Sequence, residues 1–321
     1  MEKARLKDFL STTLQALPLD DAHAGGLFRG KVRDIVDLGD KLLITTTDRL
    51  SAFDRVLTTI PCKGQVLNEL SLYWFEASRG IIRNHILEKL SPRSVLTLKC
   101  DVLPVEVVVR GYLTGSAWRD YRQGKAISGI VLPPHMRMNQ KFDRPLITPT
   151  TKAERGTHDL PISSAEIVKR GLVPADLWRK VEEAALGLFR LGTETAANRG
   201  LMLVDTKYEF GILDGELLVI DEMHTPDSSR YWYVDTYDEL FAQGAQQREL
   251  DKEYLRQWLI ERGYMGDGQA PHIPDDIRLE TGLRYVAAFE KLTGRAFVPG
   301  EQNEQDELRI VRETIDRHMT R

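Results

Sequence analysis

The chain has 321 residues, 42% of them hydrophobic and 29% charged, with a net charge of −4 and a pI near 6.0. That length exceeds one ordinary hydrophobic core, so two closely packed lobes are expected. The absence of a long cationic block excludes the electrostatic footprint of a nucleic-acid or anionic-membrane partner. The start, MEKARLKDFL, is charged throughout and lacks a signal-peptide core, and no apolar run approaches the ~20 residues a membrane helix needs. Cys62 and Cys100 show no metal-type spacing and read as free thiols in a reducing cytosol, so a cytoplasmic location is expected.

In chain order, a short N-terminal helix precedes FRGKVRDIVDLGDKLLITTT, two β-type runs joined at Gly39-Asp40. Residues 66–83 read as helix, and 94–110 as strand ending in VEVVVR. A helix is expected to open near Thr114 to Ser116 in LTGSAWRDYRQG. Residues 133–161 are rich in Pro, Thr and charge with little periodicity, which reads as a long loop, either functional or disordered. Helical periodicity returns at 163–198, paired strands follow at 201–213 and 216–223, and helices are expected at 237–262, 275–293 and 302–319. Strands first, then a mixture, then helices is an α+β order.

LVDTKYEFG (203–211) alternates strictly. Side chains of a strand alternate between faces, so Asp205, Lys207 and Glu209 share one face, and Val204, Thr206, Tyr208 and Phe210 share the core face. The next run ends in Asp221 and Glu222. A two-residue turn at Asp214-Gly215 would set Asp221 opposite Tyr208, on the apolar face. A three-residue connection pairs Ile212 with Glu216 and sets Asp221 opposite Lys207. Burying an unpaired carboxylate is unfavourable, so the three-residue register is expected. Glu209 and Asp221 would then suit Mg²⁺, which one or two carboxylates plus phosphates commonly hold. A solvated face with cross-strand ion pairs is an equally good reading of the spacing.

Other stretches could handle anions. FRGKVRD sets Gly30, Lys31 and Arg33 at a strand turn, without the spacing of a Walker A loop, and an ordinary hairpin with exposed bases is the plainer reading. DRLSAFD (48–54) offers Asp48, Arg49, Ser51 and Asp54, either as a ligand loop or as a turn that caps the next element. Arg110 ends a buried strand just before Ser116, where a guanidinium and a helix N-terminus can meet an anion; a salt bridge and a capping serine is the plainer reading. HTPDSSRYW (224–232) clusters Asp227, Ser228, Ser229 and Arg230, and His158 is the histidine in the most polar company.

VLPVEVVVRGYLTGS (102–116) and LVDTKYEFG (203–211) resemble the two signature stretches of the SAICAR synthetase family, the phosphoribosylaminoimidazole-succinocarboxamide synthases. GKVRDIVD (30–37), TTDRLSAFD (46–54), ITPTTKAERGTHDLPIS (147–163) and GELLVIDEMHTPDSSRYW (215–232) fit the same family in order. The TPTTKAERGTHD stretch and the chain length resemble the longer, fungal-like branch; the short form reads closer to GKAK where this chain has GKVR. The resemblance implies an α+β, two-lobed ATP-grasp-like fold with a kinase-like N-terminal antiparallel sheet and a helical C-terminal part. The lobes would be 1–110, binding nucleotide, and 111–321, binding substrate and metal.

The implied reaction joins L-aspartate to the carboxylate of a carboxyaminoimidazole ribotide with ATP and Mg²⁺, in de novo purine synthesis. By resemblance, Glu209 and Asp221 hold Mg²⁺, and Gly30, Lys31, Val32 and Arg33 line the triphosphate. The backbone of Glu106, Val107 and Val108 meets adenine as a kinase hinge does. Arg110, Ser116 and Arg230 bind the ribotide, with Lys207 and Asp205 between ribotide and ATP. Ser51, Asp54, Asp227 and Ser229 contact substrate, and Lys152, Glu154, His158 and Asp159 lie on a loop that closes over aspartate. The same Lys, Glu and Asp set could instead serve a small-molecule kinase. A non-catalytic nucleotide-binding module is disfavoured because both metal acids are present.

Overall fold

The structure, a computed structural model, describes residues 1–19, 26–53, 55–152, 159–250, 252–300 and 303–319. Asp54, Glu154 and His158 therefore lie outside the described residues. The chain folds as α+β in two compact units. One comprises Met1–Tyr73, His85–Lys99 and Leu250–Arg321; the other comprises Trp74–Asn84 and Cys100–Glu249. These bounds differ from a single cut after Arg110, because the C-terminal helices belong with the N-terminal strands.

The first stretch of chain carries α1 (Lys3–Lys7), β1 (Leu27–Arg29), β2 (Arg33–Asp37), β3 (Lys41–Thr46), β4 (Arg49–Ala52), β5 (Arg55–Thr59), α2 (Lys63–Ala77), β6 (Ile86–Lys89) and β7 (Ser94–Leu98). The strands β1-β2-β3-β7-β6 form one antiparallel sheet, and β4 pairs with β5. Between β1 and β2 the chain reverses in a tight turn, with the Gly30 N–H donating to the Arg33 carbonyl at 2.8 Å. Alternation in β2 and β3 turns Val36 and Leu43 inward onto Leu14, Leu17 and Leu96.

The second unit carries β8 (Asp101–Val102), β9 (Val105–Leu113), α3 (Gly115–Arg122), β10 (Gln140–Ile147), β11 (Thr150–Thr151), α4 (Ser164–Lys169), α5 (Ala175–Ala197), β12 (Leu201–Leu213), β13 (Glu216–Ile220), β14 (Ser229–Tyr233) and α6 (Val234–Gln243). Its sheet runs β10-β9-β12-β13, with β8 and β14 also on β12 and β11 on β9. The strand β12 is thus the centre of the sheet. Helix α5 buries Trp178, Val181, Ala185, Leu188, Phe189, Gly192 and Ala196, a stripe at helical spacing, against β12 and β9. Gly192 is required there: a Cβ would come within 2.5 Å of the His224 ring. The helices α7 (Glu253–Ile260), α8 (Asp275–Thr293) and α9 (Glu304–Met319) return to the first unit, where Val311 and Ile315 of α9 join the Val36–Leu43 cluster.

Two expectations change here. Residues 133–161 are not one irregular loop: β10 forms within them and pairs with β9, but through a bulge between Lys141 and Leu146 that hides its periodicity. The expected helix 237–262 is two, because α6 stops at Gly244, a left-handed C-cap with φ of 67°. Among the described residues no helix is long and apolar enough to cross a membrane.

Candidate active site

The turn after β12 decides where the carboxylates lie. Leu213 pairs with Glu216 and Glu209 with Ile220, so the connection is the two-residue one, and the three-residue register is wrong. Asp214 and Gly215 both take left-handed φ values, 51° and 78°, as a type I′ turn demands. The argument from carboxylate burial is met in another way. The strand stops at Ile220, and Asp221 takes a φ of 69°, which breaks the alternation before the apolar face is reached. Asp221 is half-buried, and its charge acts on Lys207. Glu222 closes the following turn by accepting the Thr225 hydroxyl at 2.7 Å.

Asp205, Lys207 and Glu209 share a face of β12, as their parity requires. That face is largely covered: Asp205 and Glu209 are each 8% exposed. The reason is position, since β12 is flanked by β9 on one edge and by β13 and β14 on the other. Two clusters of charge form on it.

The first gathers cations on Asp205. Its Oδ2 lies 3.3 Å from the Arg110 guanidinium and 3.4 Å from that of Arg230. The pairing of Asp205 with Arg110 across β9 and with Arg230 across β14 fixes this. Arg110 also donates to Thr148 Oγ1 at 2.9 Å and to Ser116 Oγ at 3.2 Å. Burial depresses the Arg110 guanidinium, Asp205 opposes that, and Arg230 adds to it. Helix α3 opens here without a side-chain cap from Thr114, so Ser116 serves Arg110 and not the helix end. Gly115 has a φ of 58°, and a Cβ on it would stand 2.8 Å from the Arg230 guanidinium.

The second is a chain of alternating charge. Glu106 accepts from Lys207 at 2.7 Å, Lys207 donates to Glu209 Oε1 at 2.9 Å, and Lys152 donates to Glu209 Oε2 at 2.5 Å. Burial raises the Glu106 carboxyl against the pull of Lys207. For Glu209 burial also acts upward, but the charges of Lys207 and Lys152 outweigh it and hold the carboxyl at about 2. Burial would depress the Lys207 ammonium; Glu209, Glu106 and Asp221 instead keep it protonated well above its usual range. The site thus holds two ionised groups, Lys207 and Glu209, locked together at neutral pH. Among the described residues there is no cluster of three or more metal-ligating side chains. The charges of Glu209 and Asp221 both act on Lys207.

Two assigned roles find their groups already engaged. The backbone of Glu106–Val108 is paired with β12 on one edge and with Thr150 and Thr148 on the other. The Glu106 carboxylate of the same stretch faces Lys207. The Ser229 hydroxyl is buried against that of Thr206 at 2.7 Å, which is an interstrand bond within the sheet. Asp227 is half-buried in the turn before β14, and the charge of Asp159 acts on Glu106.

In the other unit, the Gly30–Arg33 turn, with Val32 half-buried and Lys31 exposed, is held from behind by Arg49. The Arg49 guanidinium donates to the carbonyls of Lys31 at 3.2 Å, Gly30 at 2.9 Å and Arg33 at 3.1 Å, and to Asp34 Oδ1 at 2.7 Å. Sequence reasoning passed over this role, because its partners are main-chain oxygens that no residue type marks. Asp48 makes a long-range contact: Oδ1 accepts the Gly64 N–H at 2.8 Å, at the start of α2 and beyond both β4 and β5. Ser51 sits half-buried in β4. Thr148, the partner of Arg110, was hidden in the aperiodic stretch.

Comparison with known proteins agrees with these motifs. The sequence model of the SAICAR synthetase family matches residues 26–272. The phosphoribosylaminoimidazole-succinocarboxamide synthase of Bacteroides thetaiotaomicron is 48% identical over 293 residues, which covers 89% of this chain and 93% of that one. The synthase of Legionella pneumophila (strain Lens) is 44% identical, covering 88% and 93%. Among solved structures, a SAICAR synthase from Saccharomyces cerevisiae complexed with SAICAR matches with a TM-score of 0.77 and 35% identity, over 88% of this chain and all of that one. The long form of the sequence is therefore shared by bacterial relatives as well as the fungal one.

Proposed function

The chain belongs to the SAICAR synthetase family, and from that premise we propose how its residues divide the work. It is an amide-forming ligase of de novo purine synthesis. It joins the amine of L-aspartate to the carboxylate of 5-amino-1-(5-phospho-D-ribosyl)imidazole-4-carboxylate and yields SAICAR.

A carboxylate does not accept an amine at pH 7. Transfer of the γ-phosphoryl group of ATP to the ribotide carboxylate gives an acyl phosphate, which the aspartate nitrogen attacks with loss of phosphate. The negative charge that moves in this transfer needs fixed cations around it. Lys207 supplies one, held protonated by its three acidic neighbours. Mg²⁺, when bound, would supply a second. Glu209 and Asp221 would hold it, since Mg²⁺ is commonly bound by one or two carboxylates plus phosphate oxygens and water. Glu209 stays ionised at working pH, the form a metal needs.

Arg110, Arg230 and Ser116, with the uncapped start of α3, bind the ribotide phosphate or carboxylate. Asp205 holds the two guanidiniums side by side so that they converge. The Gly30–Arg33 turn takes ATP phosphates with Lys31 and Arg33, its carbonyls turned back onto Arg49. Lys152 and Asp159 serve aspartate. The reaction belongs in the cytoplasm, where ATP and the ribotide are supplied.

The observation that carries this division is the β12 face, where Asp205 collects two guanidiniums and Glu209 two ammoniums. The test is nucleotide turnover under omission of each substrate. ADP release should require both aspartate and the carboxylated ribotide, with SAICAR formed in equal amount. ADP release that persists without aspartate would mean phosphoryl transfer to a different acceptor, as in a small-molecule kinase.

A further inference from the structure

Both oxygens of Glu209 are occupied. Oε1 accepts from Lys207 at 2.9 Å and Oε2 from Lys152 at 2.5 Å. Mg²⁺ binds carboxylate oxygen at about 2.0–2.1 Å, which is closer than an ammonium stands. Each oxygen keeps a second lone pair, but a dication there repels an ammonium held on the same carboxylate, and the two ammoniums are not equally easy to move. Lys207 springs from the centre of the sheet, and Glu106 holds it as well at 2.7 Å. Lys152 follows the two-residue strand β11, and its side chain is 41% exposed. Among the described residues, Glu209 is the sole partner of its ammonium.

We propose that Lys152 is an internal counter-ion of the metal site: its ammonium holds the cation position on Glu209 until a divalent ion expels it. The charges explain why a stand-in is needed. Glu106, Glu209 and Asp221 all act on Lys207, and Glu209 is largely covered. Without a second cation the carboxylates repel one another in a medium that screens them poorly. Lys152 balances this group while the metal is absent. Its long stem lets it withdraw to water without disturbing the sheet. The expelled ammonium is then free for an anionic group of a substrate, so the substrate role given to Lys152 begins when the metal is seated. The proposal rests on Glu209 being a metal ligand.

The experiment titrates the full chain with Mn²⁺, reading free ion by electron paramagnetic resonance, for the unsubstituted protein, Lys152→Met and Glu209→Gln. In parallel, amine-reactive labelling of Lys152 is followed by mass spectrometry with and without Mn²⁺. Removing the competing ammonium should tighten Mn²⁺ binding about fivefold, the scale of one partly exposed ion pair. Labelling of Lys152 should rise with Mn²⁺ while that of Lys207 stays constant. Unchanged or weaker binding by Lys152→Met, or labelling that does not respond, overturns the counter-ion role while leaving the metal on Glu209. Undiminished binding by Glu209→Gln would remove the metal assignment itself, and no binding by any of the three proteins overturns both.

Discussion

The Lys207 ammonium lies 2.9 Å from the Glu209 carboxylate two positions along the same strand, and each holds the other in its charged form. Separating them has two consequences. Lys207→Met leaves Glu106 and Glu209 covered without their shared cation, a loss of about 3 kcal/mol or more by analogy with broken buried pairs. It also removes a cation from the reaction. We expect denaturant midpoints to fall and SAICAR formation to drop below detection. The double variant Lys207→Met, Glu209→Gln should regain part of the stability and none of the activity. A Lys207→Met protein as stable as the parent would show that the pair is not coupled.

Gly115 admits the Arg230 guanidinium. Gly115→Ala puts a methyl 2.8 Å from it and a non-glycine residue at φ 58°, which costs about 1 kcal/mol before any clash. Arg230 must move off Asp205. Steady-state kinetics should show the KM for the ribotide rising about tenfold or more, with the KM for ATP nearly unchanged. Equal rises in both would place Arg230 elsewhere in the reaction.

Arg49 shapes the turn between β1 and β2 through a fork that lysine cannot reproduce. Arg49→Lys keeps a charge beside Asp34 but cannot reach three carbonyls at once. The expected result is a folded protein with a KM for ATP raised about tenfold and little change in the KM for aspartate. Arg49→Met, which strands Asp34 at 0% exposure, should be strongly destabilised. An unchanged KM for ATP in the lysine variant would exclude the turn from nucleotide binding.

His224 gives the fold a pH dependence. It is fully buried, its Nε2 lies 2.5 Å from the Tyr208 hydroxyl, and burial depresses its imidazole from an ordinary value near 6.5 to about 3. The folded state keeps it neutral while the unfolded chain takes up a proton below about 6.5. The contribution is therefore complete above that pH and is lost as pH falls from 6.5 toward 3. Melting temperatures should decline across that window, and His224→Leu should flatten the decline. An identical slope in the variant would assign the acid sensitivity to other groups.

Much of the site was legible in the sequence because strand periodicity is rigid. Parity alone put Asp205, Lys207 and Glu209 on one face, and the nearness of Arg110 to Ser116 was visible, although Arg110 lies within β9, which runs on to Leu113, and not at the strand end expected for it. Parity could not say that the face is covered, since cover comes from the neighbours β9, β13 and β14, which lie far along the chain. The turn length was open because Gly215 suits both a two-residue turn and a bulge, and the left-handed Asp214 and Asp221 are conformations that aspartate tolerates without advertising them. The partners Thr148 and Lys152 come from a segment whose bulged strand has no clean period.

The discontinuity of the first unit also orders events during synthesis. The second unit is complete in sequence once Glu249 has emerged from the ribosome. The first has to wait for Leu250–Arg321, because Val36 and Leu43 bury their side chains with Val311 and Ile315 of α9. Until α9 has been made, the oldest strands of the nascent chain therefore lack part of their core, and its arrival is what lets them close.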